Sequence, residues 1–280
     1  MFKLQSMENL STLRLKGQCY YYEALSIDGL KEIKKYCENK NITFKLIGRG
    51  SNLILSEKKY YVKLNFSTPT IIDFSQESCY FPANYSISKM VSLASKNNIR
   101  GWEVITGIPG NLGGSIFMNA GTSKGEISSI LKDVHVLKKN GEDIIISLNS
   151  KMFSYRKNHF ISDGDIILGA NVYINNIDSN VRTDIKEYLD YRKKTQPLKS
   201  YNCGCVFANG GKYLKAGRAI DLLGLKGFEY NGFKISYKHA NFIENQGQGH
   251  SDDLIKLVQI QKRLLSLCYG HKFELEVQIV

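Results

Sequence analysis

The chain has no long apolar run. None of its hydrophobic segments approaches the roughly 20 consecutive residues that a membrane-spanning helix requires. The opening stretch, MFKLQSMENLSTLRLKG, also lacks the continuous apolar core of a secretory signal peptide. We therefore expect a protein that stays out of membranes and works in the cytoplasm. Hydrophobic residues still make up 42% of the 280 residues, which is ordinary for a globular protein.

Cysteine is scarce, with six residues in the whole chain. Six are too few for a disulfide scaffold, and in a reducing compartment they should stay as thiols. Four of them stand alone in apolar or helical contexts and are predicted to be buried, namely Cys19, Cys37, Cys79 and Cys268. The other two form the segment CGC, in which only Gly204 separates Cys203 from Cys205.

The CGC spacing is compatible with half of a metal site, with a redox pair, or with one working thiol beside an inert one. A metal site needs two more ligands at a suitable spacing, and no such set of Cys or His residues is visible nearby. A disulfide across a single residue would be strained. We therefore expect no bound metal.

Blocks of basic residues are also missing, although the net charge is +12. The lysines are scattered along the chain, and no Lys/Arg run is long enough for an arm that binds nucleic acid. We expect no nucleic-acid partner. The charge is compatible with a site that holds several phosphates.

Apolar periodicity predicts helices alternating with strands, and therefore an α+β fold. The helical segments are residues 27–41, 85–101, 182–196, 215–227 and 250–270. Ser251 is the expected N-cap of the last helix and Gly270 its end. Two apolar runs around Asn140-Gly141 predict a β-hairpin. Changes in the pattern of predicted helices and strands along the chain predict domains 1–66, 67–196 and 197–270, with 271–280 as a C-terminal strand.

Two glycine-rich segments carry the candidate chemistry. In LIGRGSNLIL, Gly48 and Gly50 follow a strand, and Ser51 and Asn52 add side-chain donors, so the loop suits an anion. It is neither a Walker loop nor a complete dinucleotide fingerprint, and a plain tight turn is equally compatible. GIPGNLGGSIFMNAG interleaves glycines with apolar residues, which favours a backbone pressed against a large planar ligand over a connector packed on a sheet.

Taken in order, eight segments resemble one protein family. They are GRGSN, GWEVITGIPGNLGGSIFMNAG, YRKNHF, RKKTQP, GCVFAN, AGRAIDLLGLKG, KHANFIEN and LEVQIV. Together they are similar to the UDP-N-acetylenolpyruvoylglucosamine reductases, and the resemblance runs from about residue 45 to the C-terminus. The short segment after the YR motif resembles the compact form of the family, which lacks an extra loop over the substrate.

The resemblance implies a fold, two cofactors and a reaction. Residues 1–66 and 67–196 would form an FAD-binding unit of the vanillyl-alcohol-oxidase type, to which 271–280 returns. Residues 197–270 would bind the substrate. Hydride would pass from NADPH to FAD, and from FAD to the enolpyruvyl group of UDP-N-acetylglucosamine-enolpyruvate, giving UDP-N-acetylmuramate for peptidoglycan. We expect a monomer. Another FAD oxidoreductase on this scaffold, or an inactive paralogue, are the alternatives.

The resemblance also assigns roles to individual residues. The pyrophosphate loop would be Gly48, Arg49, Gly50, Ser51 and Asn52. The flavin would be lined by Ile108, Pro109, Gly113, Gly114, Ser115, Asn119 and Gly121. Substrate would be bound by Tyr155, Asn209 and His239, and the catalytic residues would be Arg156, Cys205 and Glu276.

The chemistry favours these catalytic residue types. Hydride addition next to a carboxylate builds negative charge there, which a fixed cation such as Arg156 stabilises. Glu276 would assist only in its acid form, so we expect its pKa to be raised. Cys205 stands where the family places a serine proton donor, which leaves Cys203 as a bystander. Four residues depart from the family pattern, namely Asn158, Ala208, Gly210 and Gln278.

Overall fold

The computed structural model describes residues 1–67, 72–174, 176–209, 214–270 and 272–280. Its helices are α1 (Ile27–Asn39), α2 (Ile87–Asn97), α3 (Leu112–Phe117), α4 (Val181–Thr195), α5 (Ala216–Leu222) and α6 (Ser251–Tyr269). Among the described residues, no helix is long and apolar enough to cross a membrane.

The strands are short and mostly antiparallel. They are β1 (Lys3–Ser6), β2 (Gln18–Ala24), β3 (Phe44–Ile47), β4 (Leu53–Ile54), β5 (Tyr60–Leu64), β6 (Ser78–Pro82), β7 (Gly121–Thr122), β8 (Gly125–Glu126), β9 (Leu131–Leu137), β10 (Asp143–Ser147), β11 (Phe153–Ser154), β12 (Lys157–Asn158), β13 (Ile166–Tyr173), β14 (Glu229–Tyr230), β15 (Phe233–Ile235), β16 (Ile243–Asn245) and β17 (Gln278–Ile279).

Backbone contacts divide the chain into two compact units that are not continuous in sequence. The first unit is Met1, Tyr22–Gly48 and Val62–Tyr191, and the second unit is Phe2–Tyr21, Arg49–Tyr61 and Arg192–Val280. Strands β2 and β5 each begin in the second unit and end in the first. The domain boundaries at residues 66 and 196 remain a prediction.

The first unit is built on a four-stranded sheet of order β10-β9-β13-β6. The predicted hairpin is confirmed, since β9 and β10 pair across the Asn140-Gly141 turn. Helix α2 buries Ile87, Met90, Val91 and Ala94, the face that its periodicity predicts. The fully buried Trp102 donates from Nε1 to the Tyr173 carbonyl at 2.8 Å, which satisfies its one polar group.

Helix α3 is missing from the helices that the sequence predicted. The stretch from Gly107 to Gly121 contains a helix at Leu112–Phe117 that begins after Asn111. Glycine has low helix propensity, so tertiary contacts must override it. The Leu112 N–H donates to the Tyr85 carbonyl and the Gly113 N–H to the Ala83 carbonyl, at 2.9 and 2.8 Å. These contacts hold the first turn of α3 in place.

The second unit contains the sheet β14-β15-β16 and the helices α5 and α6. At the C-terminus, β17 pairs in parallel with β4, through Gln278 opposite Leu53. The predicted N-cap of α6 is wrong by one position, because His250 has the extended backbone of a cap and Ser251 already lies in the helix. Gly270 ends the helix in the left-handed region, as predicted, with φ +67°.

The burial expected of the four isolated cysteines holds for two of them. Cys19 and Cys37 are buried, Cys79 is partly buried and Cys268 is exposed. Helix α6 has a buried apolar face that begins with Leu254 and Leu257. Near the end of the helix this face continues from the buried Leu265 to Tyr269, four residues later. Tyr269 donates from its hydroxyl to the Ala219 carbonyl at 3.0 Å. Cys268 therefore falls on the outer side of the helix.

Candidate active site

The GRGSN loop needs glycine at one position. Gly50 has φ +62°, and a Cβ there would lie 2.5 Å from the Leu10 carbonyl oxygen. Gly48, in the first unit, has room for a Cβ, so only Gly50 is required by the packing. In the second unit, Arg49 is exposed and Ser51 is partly buried. Asn52 donates from Nδ2 to the Glu276 carbonyl at 2.9 Å, which ties the loop to the C-terminal segment.

The predicted flavin-lining residues of the first unit include one crowded glycine and one open glycine. A Cβ at Gly113 would lie 2.8 Å from Ala83 Cβ, whereas a Cβ at Gly114 would meet nothing within 4 Å. Ser115 is buried, Ile108 is partly buried and Pro109 is exposed. A flat ligand needs a bare backbone face of this kind, so these residues fit a bound flavin.

Arg156 is held in place by main-chain oxygens of the first unit. Its Nη2 donates to the Gly121 carbonyl at 3.0 Å and its Nη1 to the Asn119 carbonyl at 3.4 Å. The backbone at Arg156 has φ +57°, an uncommon conformation for a residue with a side chain. The Tyr155 ring lies 4.9 Å from Arg156 Cζ, in a cation–π contact. The guanidinium is therefore oriented before any ligand arrives.

Asn119 is the buried centre of the same cluster. Its side chain is fully enclosed, and its backbone has φ +44°, which asparagine tolerates better than most residues. Asn119 Nδ2 donates to Glu126 Oε2 at 2.6 Å and to the Ser154 carbonyl at 3.1 Å. We call Asn119, Gly121, Glu126, Ser154 and Arg156 the arginine cluster. The structure thus brings three of the predicted residues, Asn119, Gly121 and Arg156, together.

The departure at Asn158 has a structural use. Asn158 Nδ2 donates to the Phe117 carbonyl at 2.7 Å, and its Oδ1 accepts from the Ile161 N–H at 3.0 Å. One side chain therefore links the end of α3 to the turn that follows β12. The serine that the family pattern usually has at this position is shorter and carries a single hydroxyl in place of the separate amide donor and carbonyl acceptor.

The two neighbouring cysteines of the second unit have different surroundings. Gly204 turns the chain with φ +80°, and its N–H donates to Asn202 Oδ1 at 3.0 Å. Cys203 is buried, and burial raises the pKa of its thiol to about 12, helped by the charge of Cys205. Cys205 is only partly buried, with Asn209 Nδ2 at 4.0 Å from its Sγ. Accessibility thus distinguishes Cys205 from Cys203.

Glu276 lies beside Cys205 along the backbone. The Glu276 N–H donates to the Val206 carbonyl at 2.9 Å, and Phe207 forms a bridge with Leu275. The segment after Cys205 and the C-terminal segment therefore run alongside each other. In this unit the structure brings together Asn52, Cys205, Asn209 and Glu276, all four singled out from the sequence.

Asn241 supports this arrangement and was missed in the sequence. It is 1% exposed, its Oδ1 accepts from the Phe207 N–H at 2.9 Å, and its Nδ2 donates to the Phe207 carbonyl at 2.7 Å. Its own carbonyl accepts from the Val206 N–H at 2.9 Å. The segment KHANFIEN contained the residue, but nothing local in the sequence indicates which backbone groups it satisfies.

His239 lies next to Asn241 and is largely enclosed. Its Nδ1 accepts from the Asn241 N–H at 3.3 Å. Burial, and then the charge of Lys226, lowers the pKa of His239 below its ordinary value. The ring is therefore neutral at physiological pH. Its assignment to the substrate remains a prediction.

Two of the three remaining departures, Ala208 and Gln278, lie near these residues. The Ala208 N–H donates to the Glu274 carbonyl at 2.9 Å, and the Gln278 N–H donates to the Asn52 carbonyl at 3.0 Å. Both contacts use the backbone and do not depend on the side chain. Gly210 falls outside the described residues.

Among the described residues, no group of three or more His, Cys, Asp or Glu side chains could hold a metal ion.

Comparison with known proteins covers the whole chain. The family model "UDP-N-acetylenolpyruvoylglucosamine reductase, C-terminal domain" matches residues 196–280, and the model "FAD binding domain" matches residues 20–147. The reductase of Chlamydia pneumoniae is 32% identical over 279 residues, which cover 98% of this chain and 90% of that protein. The reductase of Halalkalibacterium halodurans is 34% identical over 262 residues, or 91% and 85% of the two chains.

A solved structure has the same fold. The crystal structure of UDP-N-acetylenolpyruvylglucosamine reductase from Thermus caldophilus superposes with a TM-score of 0.84 at 27% identity, covering 100% of this chain and 98% of the other. With the two family models, this match confirms the predicted α+β fold, which contains an FAD-binding domain and the C-terminal domain of this reductase family.

Proposed function

The chain belongs to the UDP-N-acetylenolpyruvoylglucosamine reductase family, and we propose that Arg156, Glu276 and Cys205 carry out its chemistry. It is an FAD-dependent oxidoreductase of peptidoglycan synthesis that uses NADPH to reduce UDP-N-acetylglucosamine-enolpyruvate to UDP-N-acetylmuramate. The alternative of a different substrate is not favoured, because the match over residues 196–280 is to this reductase's own C-terminal domain.

The residues that would hold FAD are those of the two glycine-rich segments. Gly50, Ser51 and Asn52 present backbone and side-chain donors to a pyrophosphate, and the open face at Gly114 receives the flat ring system. When bound, FAD supplies the redox chemistry by accepting a hydride from NADPH and passing it to the enolpyruvyl group. The protein supplies binding, orientation and proton transfer.

Arg156 binds the substrate carboxylate in this proposal. Hydride addition makes the neighbouring carbon and carboxylate more negative, so a cation placed there beforehand lowers the barrier. The support for this role is that the carbonyls of Gly121 and Asn119 already orient the guanidinium. Glu276 assists in its acid form by donating a hydrogen bond to the same carboxylate, and for this its pKa must be raised.

Cys205 donates the proton that completes the product. Its S–H bond breaks as a C–H bond forms at the carbon bearing the carboxylate, and solvent then returns a proton to the thiolate. A thiol is competent for this step, since its ordinary pKa of about 8.5 is far below that of a serine hydroxyl. Asn209, with Nδ2 at 4.0 Å from Sγ, orients the thiol. Tyr155 and His239 contact other parts of the substrate.

One observation carries this assignment. The backbone hydrogen bond from Glu276 to the Val206 carbonyl places two predicted catalytic residues on adjacent segments, although they are 71 positions apart (276 − 205). This proximity supports the proposal that the two residues act at one site. We further propose that the enzyme works in the cytoplasm, since a working Cys205 thiol requires a reducing compartment.

Half-reaction kinetics test the roles of Arg156 and Glu276. Arg156→Ala or Glu276→Gln should slow flavin reoxidation by substrate about 10²-fold or more, the scale of losing one preorganised charge-stabilising group. Flavin reduction by NADPH alone should change little, because neither residue serves that step. Arg182→Ala, an exposed arginine of α4, is the matched control. Equal losses in the two half-reactions would refute the assignment.

A further inference from the structure

Glu126 faces Arg156 from the opposite side of the same loop. It lies in β8, paired with β7 so that Glu126 is opposite Gly121. Its Oε1 is 4.0 Å from Arg156 Nη1, with side-chain exposures of 34% for Glu126 and 21% for Arg156. A half-buried carboxylate at this distance attracts the guanidinium without the tight contact of a bidentate pair.

The other carboxylate oxygen reaches the same loop from inside. Glu126 Oε2 accepts from Asn119 Nδ2 at 2.6 Å, and Arg156 Nη1 donates to the carbonyl of Asn119. Asn119 is fully enclosed, so its side chain cannot exchange this partner for solvent. Glu126 therefore accepts a hydrogen bond from the side-chain amide of Asn119, and Arg156 donates one to the main-chain carbonyl of Asn119.

This geometry also fixes Glu126 itself. The β7–β8 hairpin sets its backbone, and the bond to Asn119 sets its side chain. Because both the backbone and the carboxylate of Glu126 are held, its negative charge has a fixed position. A carboxylate on a mobile side chain would instead move with the guanidinium of Arg156. Two carbonyls and one fixed charge thus contribute to the position of the guanidinium.

We propose that Glu126 is a positioning residue, which fixes the Arg156 guanidinium where the charge of the substrate carboxylate develops. This inference rests on the proposed function, since it requires that Arg156 binds that carboxylate. In this proposal Glu126 acts on the substrate only through Arg156. Its removal would let the guanidinium shift, and catalysis by preorganised charges is sensitive to displacements on the order of 1 Å.

The variant Glu126→Gln separates charge from shape. The carboxamide keeps the length of the side chain and an oxygen that accepts from Asn119, but it removes the charge opposite Arg156. We expect flavin reoxidation by substrate to slow about tenfold, within the range of coupling for residues in one network. Flavin reduction by NADPH should stay within about twofold of wild type, because Arg156 does not serve that step.

A double-mutant cycle decides between positioning and plain structural support. In an Arg156→Ala background, Glu126→Gln should cost no more than about twofold further, because the residue through which it acts is gone. A loss of the same size in both backgrounds, or an equal loss in the NADPH step, would overturn the proposal. Glu32→Gln, on the exposed side of α1, makes the same chemical change as a control and should leave both steps unaltered.

The remaining outcomes are also informative. If Arg156→Ala reoxidises at the wild-type rate, both the proposed role of Arg156 and this inference fail. If Arg156→Ala is slow and Glu126→Gln is normal, only this inference fails. Glu126→Asp keeps the charge but retracts it, and should fall between the wild type and Glu126→Gln. If neither Glu126 variant folds while Glu32→Gln does, Glu126 has a structural role and the proposal is wrong.

Discussion

Replacing Asn241 by alanine tests the packing that supports the cysteine segment. The change removes the side chain that accepts from the Phe207 N–H and donates to the Phe207 carbonyl, at 2.9 and 2.7 Å. Asn241 is 1% exposed and Phe207 is fully buried, so water does not replace these bonds without rearrangement. Two main-chain groups would be left without partners in the interior.

The expected magnitude follows from that count. Each buried backbone group that loses its partner costs about 1–3 kcal/mol, so the free energy of unfolding should fall by about 2–6 kcal/mol. For a chain of this size the melting temperature falls by roughly 2–4 °C per kcal/mol, and a decrease of about 4–24 °C is expected. Thermal unfolding of the FAD-bound protein, followed by circular dichroism, measures it.

Two comparison variants complete the experiment. Asn39→Ala, at the exposed end of α1, removes the same side chain where water can replace it and should change the melting temperature by less than about 2 °C. Asn241→Asp keeps an acceptor for the Phe207 N–H but turns an oxygen toward the Phe207 carbonyl, so it should also destabilise. If Asn241→Ala melted within about 2 °C of wild type, the reasoning would be refuted.

Two further predictions follow from the second unit. Cys205→Ala should let NADPH reduce the flavin but slow its reoxidation by substrate by about 10²–10⁴-fold. Turnover of the wild type should decrease at alkaline pH, because the thiolate of Cys205 cannot donate a proton. Cys205→Ser should keep substantial activity and should not show this decrease. Wild-type reoxidation rates in Cys205→Ala, or an inactive Cys203→Ala, would contradict this. Because burial lowers the pKa of His239, the unfolded chain binds its proton first, so stability should fall as the pH drops below about 6.5. Between about pH 7.5 and about pH 5.5, the melting temperature should fall less in His239→Asn than in His250→Gln. Equal decreases in the two variants would exclude His239 as the cause.

Local patterns predicted the regular elements of the fold. The helices that carry an apolar stripe, such as α2 and α6, and the hairpin at Asn140-Gly141 lie where periodicity and turn chemistry place them. Errors arose where tertiary contacts override local preference. Helix α3 forms in a glycine-rich stretch because Ala83 and Tyr85 accept from its first turn.

The C-terminal segment shows the same limit. The sequence FELEVQIV predicts a single strand, but only Gln278–Ile279 forms one, and Leu275 makes an isolated bridge to Phe207. Its path is decided by hydrogen bonds to Val206, Ala208 and Asn52, which are distant in sequence. Alternation of apolar residues carries no information about such partners.

The sequence predicted the residue types of the candidate site but not the residues that hold them in place. Motif order indicated Arg156, Cys205 and Glu276. Glu126 and Asn241 escaped notice because each acts through a contact whose partner is fixed only by folding. Glu126 reaches Arg156 across a loop, and Asn241 reaches Phe207, 34 residues away. A supporting polar residue has no local pattern of its own.

The central claim is that electrons from NADPH reach the enolpyruvyl substrate through this protein. The direct test follows NADPH oxidation by the purified, FAD-bound protein with and without UDP-N-acetylglucosamine-enolpyruvate, and identifies the product by mass spectrometry. We predict sustained oxidation only with the substrate present, with UDP-N-acetylmuramate formed in an amount equal to the NADPH consumed. Oxidation at the same rate without the substrate, or with no UDP-N-acetylmuramate formed, would contradict the account.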